Sequence, residues 1–185
     1  SILREARINE AAIQENPTIF EGLHAYRDLL SQKGYLDYSS ILIRATEICE
    51  TNEELRKRLA QRVRMVIVDE YQDVNPVQER LIRSFADIGA DICVVGDDDQ
   101  TIYQWRGSDV TNIITFAQRY QPVTEIRLQE NFRSSTGVIS IARDFIKKNT
   151  QRLPKSMEST DAQPFENHDI CALHFHTPDE EADWI

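Results

Sequence analysis

The chain has 185 residues, of which 41% are hydrophobic and 28% are charged, as in ordinary soluble globular proteins. This length allows one domain, or one domain with pieces of a second. No apolar run approaches the roughly eighteen residues that a membrane-spanning helix needs, so we expect no membrane partner. The three cysteines are far apart and odd in number, which argues against a disulfide framework or a zinc site and favours a reducing cytoplasm.

The net charge of −10 is unevenly distributed along the chain. Residues 156–185 hold eight acids and no Lys or Arg, which leaves 23 acids and 21 bases in residues 1–155. The acidity therefore belongs mainly to the C-terminal tail. A near-neutral body neither requires nor excludes a polyanionic partner such as a nucleic acid.

The first third of the chain, residues 1–64, is predicted to be helical. Apolar residues recur at helical spacing over 2–14 and 19–30, and Gly34 interrupts the second pattern. Two more helices are predicted over 38–50 and 53–63. Their candidate N-caps are polar residues at the start of each pattern: Ser39, Ser40, Thr51 and Asn52. The last helix carries a basic cluster, which we interpret as a solvated face with phosphate binding as the alternative: Arg56, Lys57, Arg58, Arg62 and Arg64.

The pattern changes at residue 65. Two short runs rich in Val and Ile, 65–70 and 91–97, each end in acids and are predicted to be fully buried parallel strands. Between them a helix is predicted over 76–89, with Pro76 in its first turn and Gly89 near its end. Strand, helix and strand within about thirty residues make a βαβ unit.

The alternation of helices and strands continues towards the C-terminus, which indicates an α/β domain with a mainly parallel sheet. Two of the cysteines, Cys93 and Cys171, lie in apolar runs, so we expect buried thiols. The further predicted elements are a helix over 109–120, a strand over 123–128, a helix over 137–149, a loop over 150–167, a strand over 168–176 and the start of a helix over 178–185.

Acidic residues follow both predicted strands of the βαβ unit. Asp69 and Glu70 end the first strand, and the run 97–100 (DDDQ) follows the second. Ligands of open α/β sheets bind beyond the carboxyl ends of the strands, so these side chains mark a candidate site. An apolar run followed by Asp-Glu is typical of nucleotide-hydrolysing motors, in which the Asp holds Mg²⁺ and the Glu polarises the attacking water. The alternative is an N-cap Asp followed by a solvated Glu.

Three stretches together are more specific than this pattern. VDEYQDVN (68–75), VVGDDDQTIYQWRGSD (94–109) and LQENFRSS (128–135) resemble, in this order, motifs II, III and IV of the UvrD/Rep type of superfamily 1 DNA helicases. The resemblance implies a partial P-loop NTPase-like (RecA-like) parallel sheet with an N-terminal helical segment. It also implies an ATP-dependent motor that moves along single-stranded DNA, with 3′ to 5′ polarity, and unwinds duplex junctions.

The resemblance assigns a nucleotide site to individual positions. Asp69 would hold Mg²⁺ and Glu70 would be the general base for ATP hydrolysis. Gln100 would sense the γ-phosphate, since an amide both donates and accepts hydrogen bonds. Arg133 would reach the γ-phosphate, and Phe132 would stack on adenine where the family usually has Tyr. Three further residues are predicted to support these loops: Gln72, Asp73 and Asn131.

The same resemblance implies a DNA contact just after Gln100. Tyr103 and Trp105 would stack on unpaired bases, with Arg106 beside them, and such stacking contributes about 1–3 kcal/mol per base. Without the family, a packed core would be the preferred interpretation of the two aromatic residues. With the resemblance, which places the γ-phosphate sensor Gln100 three positions before Tyr103, a loop that couples the nucleotide site to single-stranded DNA is implied instead.

The Gly-rich phosphate loop that ends in Gly-Lys does not occur in this sequence. We therefore expect a fragment without ATPase activity of its own. Its predicted parts are the end of an inserted helical subdomain (1–64), the second half of the first motor domain (65–150), a linker (151–167) and the start of the second motor domain (168–185). The alternatives are a stand-alone degenerate module that binds other proteins, and a nuclease that uses the acids at 97–99. The sequence leaves the oligomeric state open.

Overall fold

The computed structural model of the chain describes residues 16–104, 107–160, 163–166, 168 and 170–185. The chain divides into two compact units, of which the first ends at Val123 and the second begins at Thr124. The helix predicted over 2–14 lies outside the described residues. Within the described part of the chain, no helix combines the length and the apolar composition that crossing a membrane demands.

Three helices open the first unit: α1 (Pro17–Lys33), α2 (Tyr38–Thr51) and α3 (Glu53–Arg62). Gly34 ends α1 in the left-handed conformation, with φ of 65°. These helices confirm the periodic patterns of the sequence.

The N-cap of α2 differs from the prediction. Asp37 precedes the helix, and its Oδ1 accepts a hydrogen bond from the Ser40 backbone N–H at 2.7 Å. The prediction of Ser39 or Ser40 is wrong, because both serines lie inside the first turn and are buried. The carboxylate of Asp37, which directly precedes the helix, reaches the free N–H groups of this turn. Asn52 caps α3 as predicted, accepting from Leu55 N–H at 2.8 Å.

The predicted βαβ unit is confirmed. Strand β1 (Met65–Val68) runs parallel to β2 (Asp91–Val94), with Met65 opposite Asp91 and Val68 opposite Val94. Helix α4 (Pro76–Ala86) connects them and packs on α2, where the Arg80 guanidinium pairs with the Glu50 carboxylate. Both strands therefore end at the same edge, where the acidic residues follow.

The strands are not fully buried, contrary to the prediction. Met65 and Ile67 are 55% and 69% exposed, and Cys93 is also exposed. Side chains alternate across a strand, and the alternate set, with Val68 and Val94, packs against the core. Among the described residues, only one face of this strand pair is packed against other side chains, so every second apolar residue of the two runs stays exposed. Cys171 is exposed as well, so neither thiol is buried as predicted.

The helix predicted over 109–120 is present as two short helices. These are α5 (Thr111–Ile114) and α6 (Phe116–Arg119), separated at Thr115, whose φ and ψ are −98° and 7°. The Thr115 hydroxyl donates to the Thr111 carbonyl at 2.6 Å, a local bond that often accompanies a bend in a helix.

The second unit has little regular structure. It holds β3 (Glu130–Asn131), α7 (Thr136–Ile146), β4 (Glu158–Ser159) and α8 (Pro178–Trp184), and β3 pairs with β4 in parallel. The predicted helices at α7 and α8 are confirmed. Strand β4 lies within the predicted loop 150–167.

Two predicted strands of the second unit are wrong. Over 123–128 the backbone forms no strand, and Ile126 and Leu128 are 78% and 90% exposed. Over 168–176 the described residues likewise form no strand. A strand needs a neighbour for its backbone hydrogen bonds, and no described strand lies alongside these segments, although their residues have the right composition.

Candidate nucleotide and DNA site

The turn that follows β1 carries the predicted metal ligand, Asp69, and the predicted general base, Glu70. We call residues 69–74 the carboxylate turn. Glu70 has φ of 50° and ψ of 44°, a left-handed conformation that costs a residue with a Cβ about 1–2 kcal/mol. Its backbone N–H donates to Asp69 Oδ1 at 2.9 Å. Both side chains are exposed at the edge of the sheet, in a conformation that the surrounding contacts must hold.

Gln72 supplies the main contact that holds the carboxylate turn. Its side chain is buried, and its Nε2 donates to Glu70 Oε2 at 2.6 Å. Its Oε1 accepts from the Asp97 backbone N–H at 3.0 Å. One amide therefore joins the turn after β1 to the segment after β2, which confirms the predicted supporting role of Gln72.

The same chain of hydrogen bonds reaches Gln100. Asp97 accepts from the Gln100 side-chain Nε2 at its Oδ2, over 2.9 Å, and from the Asp99 backbone N–H at its Oδ1, over 3.1 Å. The structure thus brings two predicted site residues into one network, Glu70 and Gln100. We call Glu70, Gln72, Asp97 and Gln100 the strand-tip network.

Gly96 allows the two strand tips to approach each other this closely. A Cβ at this position would lie 2.7 Å from Gln72 Oε1, 2.9 Å from Ile113 Cδ1 and 3.1 Å from Tyr71 N. Distances below about 3 Å are not tolerated between such atoms, so any larger residue would displace the buried amide. The glycine is required here for space.

Asp73 lies at the end of the carboxylate turn. Its Oδ1 is buried and has no hydrogen-bond partner among the described residues. Burial, and then the negative charge of Glu70, raise the pKa of this carboxyl above its usual range. We predicted that the side chain of Asp73 ties the turn to neighbouring residues. The Oδ1 oxygen makes no hydrogen bond to a described residue that would support this role.

A second cluster was missed by sequence reasoning. Glu79 on α4 accepts from the Tyr71 hydroxyl at Oε2, and from the Tyr120 hydroxyl at Oε1, over 2.8 Å. The Arg119 guanidinium pairs with the same carboxylate and donates to the Asn112 carbonyl at 2.6 Å. We call Tyr71, Glu79, Asn112, Arg119 and Tyr120 the arginine cluster. Its members look like ordinary surface residues of helices, and only Tyr71 lies within a motif.

In the arginine cluster the two tyrosine hydroxyls stay protonated and the guanidinium of Arg119 stays positively charged. Burial, followed by hydrogen bonding to Glu79, raises the pKa of the Tyr71 and Tyr120 hydroxyls well above their usual range, so both keep their protons for donation. Burial opposes the charge of Arg119, but its bonds to Tyr71 and Glu79 outweigh this and raise the pKa of the guanidinium. Phe116 stacks on Tyr120 and contacts Tyr71 edge-on, which shields the cluster.

Of the three predicted DNA-contacting residues, the structure describes Tyr103. Tyr103 is 38% exposed, and its backbone carbonyl accepts from Ser108 N–H at 3.4 Å. Trp105 and Arg106 lie outside the described residues. The segment resumes at Gly107, whose N–H donates to the Gln104 carbonyl at 2.9 Å.

The other predicted nucleotide residues belong to the second unit. Asn131 Oδ1 accepts from the backbone N–H groups of Arg133 at 2.9 Å and Ser134 at 2.8 Å, which confirms that Asn131 fixes this turn. Phe132 is 64% exposed and Arg133 is exposed. Both exposed side chains thus belong to a turn whose backbone is held by the side-chain amide of Asn131.

The donor set at the carboxylate turn fits Mg²⁺. The ion prefers carboxylate oxygen, and with a nucleotide it takes one or two carboxylates together with phosphate oxygens and water. Asp69 offers such an exposed carboxylate at the strand tip. Among the described residues, no three acids, histidines or cysteines converge into a protein-only metal site. Within 97–99, Asp98 is buried while Asp97 holds Gln100, which disfavours the nuclease alternative.

These features define an α/β protein with an acidic site at the carboxyl ends of two parallel strands. The family described as the UvrD/REP helicase N-terminal domain matches residues 2–121. The chain therefore belongs to the UvrD/REP helicase family, and the resemblance carried by its motifs is confirmed.

Several curated relatives are similar over most of this chain. DNA helicase II of Haemophilus influenzae is 36% identical over 132 residues, which are 71% of this chain and 18% of the relative. The ATP-dependent DNA helicase PcrA of Staphylococcus epidermidis is 34% identical over 149 residues, 80% of this chain and 20% of the relative. PcrA of Staphylococcus aureus is 32% identical over 168 residues, 91% of this chain and 22% of the relative. The chain spans about a fifth of the length of these relatives.

Proposed function

We propose that this chain is a segment of a longer ATP-dependent DNA helicase. The longer protein would couple ATP hydrolysis to movement along single-stranded DNA and to unwinding at duplex junctions, in the 3′ to 5′ direction. The observation that carries the proposal is the strand-tip network, which joins Glu70 to Gln100 through Gln72 and Asp97. Membership of the helicase family, whose matched relatives are named DNA helicases, supports it.

The proposed site assigns one role to each residue. Asp69 would hold Mg²⁺, whose positive charge offsets the negative charge of the phosphates. Glu70 would orient and deprotonate the attacking water, and Gln100 would respond to the γ-phosphate. From the second unit, Arg133 would stabilise negative charge on the transferring phosphoryl group, and Phe132 would stack on adenine. These roles match the types of the side chains and their exposure.

The hydrogen bond from Gln72 to Glu70 supports the role of the general base. It fixes one carboxylate oxygen at 2.6 Å and leaves the other, Oε1, to accept a proton from water. A buried donor that orients a reactive carboxylate is the arrangement that preorganised sites require.

The DNA side of the proposal rests on Tyr103, Trp105 and Arg106. The aromatic rings would stack on unpaired bases, and Arg106 would contact the phosphate backbone. The domain assignment is proposed together with this role: 1–64 as the end of an inserted subdomain, 65–150 as half of a P-loop NTPase-like (RecA-like) motor domain, 151–167 as a linker and 168–185 as the start of the second motor domain. Cytoplasmic localisation stays a prediction.

The proposal is tested by ATP turnover in the full-length gene product with and without a single-stranded oligonucleotide. Glu70→Gln should keep Mg²⁺–ATP binding and lower turnover by about a hundredfold or more, because only the proton acceptor is lost. Glu53→Gln, the same change at an exposed position at the start of α3, is the control and should match the wild type. Wild-type turnover in the Glu70 variant would contradict the assignment.

Two further measurements address the finer parts of the proposal. Trp105→Ala should weaken single-strand binding and reduce DNA stimulation of ATP turnover, while strand displacement should require a 3′ tail on the duplex. The 185-residue chain alone should show no turnover, because its sequence has no Gly-Lys phosphate loop. DNA-stimulated turnover by the isolated chain would overturn that expectation.

A further inference from the structure

Arg119 connects several elements of the first unit. Its guanidinium pairs with Glu79 on α4 and donates to the Asn112 carbonyl of α5 at 2.6 Å. It also donates to the Tyr71 hydroxyl of the carboxylate turn at 3.2 Å, and to the Thr115 hydroxyl at 3.1 Å. The side chain is 30% exposed and its carboxylate partner only 12%. Such a partly buried, multiply bonded pair holds its elements in one arrangement.

The segment that carries the predicted DNA contacts is attached to the carboxylate turn at both ends. At its start, Asp97 N–H donates to Gln72 Oε1 at 3.0 Å. At its end, the Val74 carbonyl accepts from Asp109 N–H at 3.4 Å, and three residues further on Asn112 Nδ2 donates to the same carbonyl at 3.1 Å. We call residues 97–109 the bridging segment. Any displacement of the carboxylate turn therefore acts on both of its ends.

We propose that Arg119 is a positioning residue that holds the far end of the bridging segment on the carboxylate turn. The state of the nucleotide site would then reach the DNA-contacting loop through Asn112 as well as through Gln100. The inference rests on the proposed function and adds a second route to it. Gln100 would act on the near end of the segment. Arg119 would set the position of the far end, through its bonds to Asn112 and Glu79.

Arginine suits this position because its donors point in fixed, divergent directions. One edge of the guanidinium faces the Glu79 carboxylate, while Nη2 reaches both the Asn112 carbonyl and the Tyr71 hydroxyl. A lysine has a single ammonium group and cannot span these partners at once. Arg119→Lys should therefore retain the charge but lose the link to Asn112 or to Glu79.

The first test uses hydrogen exchange of the 185-residue chain. Arg119→Met should speed exchange of the amides at 107–113 by about tenfold, while exchange in β1 and β2 stays as in the wild type. Arg83→Met is the matched control: Arg83 also stacks on Tyr120 and donates to the Arg119 carbonyl, but its guanidinium pairs with Asp87 and not with Glu79 or Asn112. It should leave residues 107–113 unchanged.

The outcomes of this test are distinct. Unchanged exchange at 107–113 in Arg119→Met, or an equal increase in Arg83→Met, would overturn the proposal. If Arg119→Met unfolds, Arg119→Lys provides a folded variant, for which we expect a smaller increase over the same amides. Unfolding of the first variant together with wild-type exchange in the second would indicate a merely structural role, and would also overturn the proposal.

The second test separates the inference from the proposed function. In the full-length protein, Arg119→Met should lower the ratio of DNA-stimulated to basal ATP turnover by about fivefold or more, while basal turnover stays near the wild-type value. An unaltered ratio would overturn the inference alone. A wild-type protein without DNA-stimulated turnover would overturn the proposed function, and the inference with it.

Discussion

At the scale of the residue, Glu70 is a carboxylate in an unfavourable backbone conformation that its neighbours stabilise. The Asp69 carboxylate accepts a hydrogen bond from the backbone N–H of Glu70, and the Gln72 side chain donates one to the Glu70 carboxylate. Left-handed backbone at a residue other than Gly, Asn or Asp is uncommon, and it concentrates at functional positions. The strain is therefore an independent reason to regard the carboxylate turn as a site.

A substitution at Gly96 should disrupt this arrangement. Gly96→Ala places a methyl group within 2.9 Å of Gln72 Oε1 and Ile113 Cδ1, so we expect a loss of about 1–3 kcal/mol in the free energy of unfolding, measured by urea denaturation. Gly22→Ala is the control. It lies in α1 with no atom within 4 Å of the added methyl, so it should stabilise the chain by about 0.5–1 kcal/mol. Equal effects of the two substitutions would contradict the close approach at Gly96.

Asp73 should make stability depend on pH. The folded chain raises the pKa of this carboxyl above its ordinary value of 3.8 through burial and the charge of Glu70, so the folded state binds its proton more tightly than the unfolded state. The stability that the protonated carboxyl of Asp73 contributes is therefore present below its pKa in the unfolded chain. It is lost as the pH rises through its higher pKa in the folded chain. Asp73→Asn removes this loss, so we expect the variant to be more stable than the wild type at neutral pH.

The pH comparison contains its own control. Below the ordinary pKa of Asp both proteins are neutral at this position, so the difference in unfolding free energy should shrink at acidic pH. Thermal unfolding of the wild type and the variant over a series of pH values gives this difference. A difference that is constant with pH would mean that the carboxyl titrates alike in both states.

At the scale of the element, helix α4 links the two clusters. It follows the carboxylate turn directly, and its fourth residue, Glu79, receives the bonds of the arginine cluster. Its start is defined by a capping box, in which Asn75 accepts from Val77 and Gln78 N–H and the Gln78 side chain accepts from Asn75 N–H. The position of Glu79 therefore depends on this cap.

Removal of the cap should destabilise the chain. Asn75→Ala leaves two amide donors of the first turn without their partner, and we expect a loss of about 1 kcal/mol in urea denaturation, within a range of about 0.5–2 kcal/mol. Gln78→Ala removes only the reciprocal bond and should cost less. The capping assignment would be wrong if Gln78→Ala were the more damaging of the two.

At the scale of the whole molecule, the arginine cluster completes the first unit. Arg119 and Tyr120 lie near the end of this unit but contact Tyr71 and Glu79, about forty to fifty positions earlier in the sequence. These long-range contacts enclose the core formed by Tyr71, Val74 and Ile82. The unit is therefore complete only when residues up to 120 are present.

A truncation experiment tests this boundary. A chain of residues 1–123 should unfold cooperatively in urea and keep hydrogen-exchange protection in β1 and β2, because the contacts of the first unit are internal. A chain of residues 1–100 is the control: without Asn112, Arg119 and Tyr120 it should lose that protection. Retained protection in the shorter chain would show that the arginine cluster is dispensable for the fold.

Much of the local structure could be predicted from the sequence. The helices at α1, α3, α4 and α7 follow apolar periodicity and turn residues, which act within a few positions of the chain. The strands predicted over 123–128 and 168–176 failed, because β composition does not by itself supply a hydrogen-bonding neighbour. At the site, the motif sequences located the carboxylate turn and the bridging segment, whereas Arg119 and Glu79 carry no local pattern.

The family, the parallel βαβ unit and the two acidic strand ends could be predicted from the amino-acid sequence, because they depend on motifs and on short-range patterns. The side chains that join those strand ends could not, because they come from distant parts of the chain. The amide of Gln72 meets Asp97 from 25 positions away, and Arg119 meets Glu79 from 40 positions away. Contacts at such separations depend on how the chain packs around Gly96 and the core, and no periodicity along the sequence specifies them.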